Sequence, residues 1–417
     1  MEFQVLKRSY LKRNIIIAVV IVLMLTAIIL TFSRAKYRTT QSMPLIQGTI
    51  NYTLADLNIV AMYLDGSEID TLPDGNYELT SESYCTTEDD VRDESIILSY
   101  DSDTKGLSVS PMTRKGTKCY LYFEERASAG ETILASENAP TNSTTDWTGG
   151  TTYYYTGNPN NWVQFGGFYW RIIRINGDGS IRMIYQGTRA NVVGTGTQIR
   201  EGSFNIWDEN SSTANFYVGY MYGNESASDY ASTHANINSS TIKGILDMWY
   251  SNNLAAEAEY IDGNAGFCGD RRVSSGTGEG TSNTDYQPDT RIGNSSPSLS
   301  CDTNDVYTTN ESSTGNKALT YPIGLISADE AMFAGIPNAD SENQTNFLYT
   351  EQNYWTMSPS GTKIAAAYLY IVTSSGYLDP WNVIDTYGIR PVINLRADVQ
   401  ITGSGTTTDP FKVVGAS

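Results

Sequence analysis

One histidine, His234, serves the whole chain of 417 residues. A three-histidine zinc site, an HExxH helix and paired-histidine iron chemistry are therefore excluded. A Ser-His-Asp triad would have to use His234, and no G-x-S-x-G elbow accompanies it. The four cysteines are Cys85, Cys119, Cys268 and Cys301. They show no C-x2-C spacing, which argues against a four-thiolate zinc site. Four cysteines permit three disulfide connectivities. Their grouping into two segments favours 85–119 and 268–301. Each bridge would close a loop of roughly 33 residues, worth about 3–4 kcal/mol in the chain-entropy model. Three basic side chains, Arg171, Arg174 and Arg182, lie along one predicted hairpin. Anion binding is one use for them, and internal pairing is the favoured one. Asp262, Asp270, Arg271 and Arg272 flank Cys268 and read as a solvated loop, with Ca2+ binding or salt bridging as alternatives. The glycine pairs at 166–167 and 177/179 make turns and no dinucleotide fingerprint.

Charge is divided unevenly. The formal net charge is −19, from 27 Lys+Arg and 46 Asp+Glu. Residues 1–38 hold seven basic side chains against Glu2 alone, so the remainder carries −25. Such a surface repels nucleic acid, and no nucleic-acid partner is expected. Ile15 to Phe32 is an uncharged run. As a helix its 18 residues would span ~27 Å, close to a hydrocarbon core. Residues 14–33 are expected to form a transmembrane signal anchor behind a cytoplasmic tail, 1–13. A cleaved signal peptide ending at Ser33-Arg34-Ala35 is the alternative. The rest of the chain is then extracytoplasmic, where disulfides persist.

The elements that would position these residues follow from periodicity. Residues 40–125 read as a small all-β spacer of sandwich type, stapled by 85–119. Strands are expected around Leu54–Leu64, Tyr77–Tyr84, Ser95–Tyr100, Leu107–Val109 and Lys118–Phe123. Residues 126–160 read as a polar linker containing a short helix, and 161–415 as the large domain. There, 162–165 and 168–175 are strands, and Asn176-Gly-Asp-Gly179 turns into a partner strand at 180–185. Ser240 caps a helix whose Ile242, Ile245, Leu246 and Trp249 share one face. Ser327-Ala-Asp-Glu330 opens another with a capping box. Further strands fall at 354–357, 365–372 and 388–395. Residues 272–316 are poor in apolar side chains and read as a long surface excursion.

Three strings carry a family resemblance: Phe168-Tyr-Trp-Arg-Ile-Ile-Arg-Ile-Asn-Gly-Asp-Gly-Ser-Ile-Arg182, Tyr321-Pro-Ile-Gly-Leu-Ile-Ser-Ala-Asp-Glu330, and Tyr354-Trp-Thr-Met-Ser-Pro359 with Gly388-Ile-Arg-Pro-Val-Ile-Asn-Leu395. Over residues 150–415 the chain resembles exported proteins of gut Firmicutes with a C-type-lectin-like or formylglycine-generating-enzyme-like domain. The resemblance implies an α+β fold with two helices, a twisted antiparallel sheet and long loops. The enzymes of that fold use a late cysteine pair or several histidines. Here no cysteine follows Cys301 and His234 is alone, so binding or adhesion is expected rather than catalysis. A structural envelope protein and a formylglycine-generating-type enzyme are the alternatives.

Sugar-binding C-type lectins hold Ca2+ with Glu-Pro-Asn-type and Trp-Asn-Asp tripeptides. Asp379-Pro-Trp-Asn382 echoes their residue types without matching either pattern. Its oxygens suit Ca2+, but a turn opening on Asp-Pro is favoured, and no cofactor is assigned. Between the two parts of the third string, Trp355-Thr-Met-Ser-Pro and Gly388-Ile-Arg-Pro, lie Tyr368, Tyr370, Ile371, Tyr377, Asp379, Trp381, Val383 and Asp385. Aromatics beside short acids and β-branched residues make rigid amphipathic contact area. This stretch is similar to the diversified segment of variable proteins of diversity-generating retroelements. It is the expected binding face for an extracellular protein or glycan.

Overall fold

The computed structural model describes residues 41–44, 57–73, 77–101, 106–111, 116–206, 214–312, 314–338, 341–364 and 366–417. The expected tail and anchor, 1–33, lie outside these residues. Among the described residues no helix is long and apolar enough to cross a membrane. The architecture is mixed α+β, with many strands and few helices. The chain divides into two compact units, up to Arg126 and from Ala127 to Ser417.

The first unit holds eight described strands: β1 (Gln41–Pro44), β2 (Leu57–Leu64), β3 (Ser67–Ile69), β4 (Tyr77–Leu79), β5 (Tyr84–Thr86), β6 (Ile97–Asp101), β7 (Gly106–Ser110) and β8 (Thr117–Glu125). β8 is central, pairing β2 in parallel and β4 and β5 antiparallel, while β1, β7 and β6 form a second sheet. Period-two patterning decides what faces the core. Thr117, Cys119, Leu121 and Phe123 point inward, and Lys118, Tyr120 and Tyr122 stay half-exposed. Leu107 and Val109 of the second sheet pack into the same apolar cluster as Leu121 and Phe123. Asp65 and Gly66 both take positive φ, the mirror-image turn that joins β2 to β3. The stretch expected as one strand over 77–84 is two, because Ser83 turns back to the Thr80 carbonyl. Cys85 and Cys119 lie opposite each other across β5 and β8 and are bonded.

The second unit begins at α1 (Ala129–Leu134), capped by Ser128 and Glu131 in a capping box. The expected linker, 126–160, is thus corrected. Ile133 is buried, and β9 (Asn142–Thr145) and β10 (Thr151–Tyr154) form a hairpin that extends the main sheet. Its Thr-rich composition reads as linker, yet threonine fits a half-exposed strand. That sheet also contains β11 (Trp162–Phe165), β12 (Phe168–Ile175) and β13 (Ile181–Gly187). The β12–β13 hairpin closes at the expected turn, with Gly179 at φ 84°. Outside it, β14 (Arg200–Gly202) belongs to a second sheet.

The helix α2 (Thr241–Asn253) starts where the sequence places it, its Ser240 hydroxyl accepting from the Lys243 N–H. Residues 272–316 are no surface excursion. They contain β15 (Val273–Ser275), β16 (Thr284–Tyr286) and α3 (Gln287–Gly293), and Tyr286 and Ile292 are fully buried. Their many polar side chains are spent on backbone partners: the Thr284 hydroxyl accepts from the Gly278 N–H. α4 (Ala328–Phe333) carries the expected capping box. The second sheet runs β14, β20 (Tyr387–Ile389), β17 (Tyr354–Lys363), β16, β15, with β18 (Ala366–Val372) on β17 and β19 (Leu378–Asn382) on β18. β21 (Val392–Leu395) returns to the main sheet beside β13, and β22 (Ile401–Thr402) and β23 (Phe411–Val413) close its far side. One apolar cluster spans both sheets and the helices.

Candidate functional site

β19 is the edge strand that carries the expected binding face. Its register on β18 pairs Tyr368 with Asn382, Leu369 with Trp381, Tyr370 with Pro380, and Ile371 with Asp379. Alternation puts Asp379 and Trp381 on one face and Leu378, Pro380 and Asn382 on the other. The eight expected contact residues therefore separate. Tyr370, Ile371 and Val383 are buried, which corrects their assignment. The Tyr370 hydroxyl donates to Asp289 Oδ1 of α3 at 2.9 Å, and its pKa is pushed up first by burial and then by that carboxylate. Ile371 lies opposite Trp355 in the β17–β18 pair. Tyr368, Tyr377, Asp379 and Asp385 are half-exposed, and Trp381 is 39% exposed.

The exposed indole is anchored rather than loose. Trp381 Nε1 donates to Asp379 Oδ2 at 2.8 Å, and the ring meets Tyr387 edge-on at 5.6 Å between centroids. Tyr387 packs on Trp355 at 5.2 Å, and Trp355 on Phe204 at 5.2 Å. Trp355 and Phe204 have no exposure, and Trp355 Nε1 donates to the Gly202 carbonyl at 2.8 Å. A file of four aromatic rings thus leads from the core to the surface. Tyr387 is the member that sequence reasoning missed; its only signal was its place directly before the Gly388-Ile-Arg-Pro string. Burial raises its pKa to about 12, aided by Asp385 and Asp379, so the phenol stays neutral.

The strand edge itself is closed to an added strand. The Leu378 N–H points outward and donates to the Pro337 carbonyl at 2.8 Å, and Pro380, two residues on along the same edge, has no N–H. Recognition here falls to side chains. Asp379 and Asn382 point to opposite faces and cannot share one Ca2+; Asn382 Oδ1 instead accepts from the Ile384 N–H at 3.3 Å. Among the described residues no group of three or more His, Cys, Asp or Glu is arranged to hold a metal ion.

The remaining charged candidates are structural. Arg174 and Arg182 face each other across β12 and β13 and both reach Glu330 Oε1, at 3.0 and 2.5 Å. This is the internal pairing the sequence favoured. Glu330 is held below the usual carboxylate range by Arg182 and then Arg174, against a larger opposing effect of burial. Arg171 is buried over the Trp162 ring and bonds Asn161. The loop around Cys268 is corrected from solvated to buried at Asp270 and Arg271. Arg271 Nε and Nη2 both bond Asp305 Oδ1, at 2.9 and 2.6 Å, and Arg291 links Asp270 to Asp329. Cys268 and Cys301 are bonded beside this network. His234 is buried against Tyr230, with Nε2 3.4 Å from the Tyr286 hydroxyl. Burial, then Arg271, holds its pKa well below the ordinary 6.5, so the ring is neutral.

No family model, no curated protein and no solved structure matches the chain.

Proposed function

We propose that this chain is a membrane-anchored extracytoplasmic binding or adhesion protein whose large domain is a C-type-lectin-like head. The observation that carries the reading is the file from Phe204 through Trp355 and Tyr387 to Trp381. It presents a large amphipathic ring on a rigid support, beside the carboxylates of Asp379 and Asp385. Preorganised aromatic area of this kind binds with little loss of conformational freedom. Both disulfides fit an oxidising compartment. The buried Arg174, Arg182 and Arg271 are each paired with a carboxylate, which fits structural roles for these charges. The ligand is an extracellular protein or glycan, taken up without Ca2+. A retroelement origin of the face would direct variation to Tyr368, Tyr377, Asp379, Trp381 and Asp385.

The test uses the full-length chain in detergent micelles on glycan and protein arrays, with and without Ca2+. A ligand retained in EDTA and lost on Trp381→Ala supports the assignment. No ligand on either array, or one that Trp381→Ala leaves unchanged, counts against it.

A further inference from the structure

We infer a second binding site, a cleft pair divided by Tyr154, that takes a neutral oligosaccharide. Tyr154 ends β10 and lines two neighbouring hollows of about 520 and 330 Å3. The larger is walled by Met332 and Phe333 of α4 and by the loop through Pro337 and Asn338. The smaller is walled by Pro140, Asn142, Thr156, Asn158 and Asn160. The Tyr154 ring lies half-exposed, tilted at 49° to Phe333 with centroids 5.0 Å apart. The β9–β10 hairpin sets its place, because Tyr154 pairs with Asn142 on one side and Arg174 on the other.

The lining selects the ligand class. Among the described residues that line both hollows the only charged side chain is Glu137, in a chain whose net charge is −19. None of these residues pairs with an anion, and a single carboxylate is poor recognition for a cation. A wholly apolar ligand would strip water from amides and hydroxyls without replacing their hydrogen bonds. Asparagine amides and hydroxyls both donate and accept, as sugar hydroxyls do. The Tyr154 and Phe333 rings offer apolar faces for the C–H side of a pyranose. Two hollows meeting at one ring suit a chain of sugar units rather than a single one. The walls are held in place: Asn338 Nδ2 donates to the Ile292 carbonyl at 3.3 Å and to Ser295 Oγ at 3.2 Å. Asn138, also in the lining, donates to the Ser404 carbonyl at 2.8 Å and receives the Asn160 amide at 3.2 Å. Asn158 is exposed and available to a ligand. This site shares no lining residue with the Trp381 face, so either assignment can fail alone.

The full-length chain in micelles is to be titrated with neutral oligosaccharides of three to six hexose units, followed by calorimetry. Matched acidic oligosaccharides and an uncharged peptide library serve as comparison probes. Tyr154→Ala is expected to weaken neutral-sugar binding by roughly tenfold or more, the loss of one aromatic contact. Asn158→Arg, an exposed position that leaves the fold intact, is expected to weaken it similarly by filling the smaller hollow. Binding confined to acidic sugars or to peptides, no binding of neutral sugars, or neutral-sugar binding indifferent to Asn158→Arg, overturns the inference.

Discussion

At the scale of the residue, Trp381 and Tyr370 lie on adjacent strands and are both aromatic, yet they answer to different physics. Tyr370 is 5% exposed and hydrogen-bonded to α3. Tyr370→Ala should cost about 3–5 kcal/mol of stability, the range for emptying a buried aromatic position. Trp381→Ala should cost under ~1 kcal/mol, since surface changes seldom matter more, and remove ligand binding instead. Urea unfolding of the two variants checks the contrast. His234 supplies a pH dependence. The unfolded chain takes up a proton near the ordinary value of 6.5, whereas the folded chain resists it. Stability is therefore full above that pH and falls as the pH drops below it. The drop in unfolding free energy between pH 7.5 and 5.5 should shrink in His234→Gln. Equal drops in both proteins would show that the ring does not stay neutral on folding.

At the scale of the element, two devices set local stability. Glu330 closes the α4 capping box and sits between two buried guanidinium groups. Glu330→Ala leaves both Arg174 and Arg182 without that partner, and a loss of about 3–5 kcal/mol is expected in the large unit. A loss below 1 kcal/mol, read by denaturant midpoint, would show that the triad is dispensable. The β17–β18 hairpin carries the opposite device. Ile364 at its tip has φ 50° and is 92% exposed. A β-branched residue in the left-handed region is strained, so Ile364→Asn should stabilise by roughly 0.5–1 kcal/mol. α1, α2, α4, the β12–β13 hairpin and most strands of the small unit are legible in the sequence because periodicity and caps are local signals. The buried course of 272–316 is not, because its polar side chains find partners far along the chain. The Tyr286 hydroxyl donating to Asn215 Oδ1, 71 positions away, is one such pair.

At the scale of the whole molecule, each compact unit has its own core and its own disulfide. Calorimetry should resolve two transitions. Replacing Cys85 and Cys119 by serine should lower one of them, at a cost of about 2–5 kcal/mol, and leave the other in place. A single transition, or both shifting together, would mean that the units unfold as one. The candidate face shows the same division between local and distant information. Its residues were recognisable as a Tyr- and Asp-rich stretch between framework strings. Which of them face outward required the β18–β19 register, and the support beneath Trp381 required Phe204 and Trp355 to arrive from other elements.

The sequence by itself determined what was absent and what was local. A single histidine removed histidine-clustered metal chemistry, cysteine grouping anticipated both bridges, and caps placed the starts of α2 and α4. Tertiary structure alone decided that 127–160 belongs to the large unit, that Asp270 and Arg271 are buried, and that Tyr370, Ile371 and Val383 face the core. The reason is range. Composition, period and caps act over a few residues, whereas burial and pairing are set by whichever distant segment supplies the opposing surface, and that choice is made only when the sheets close.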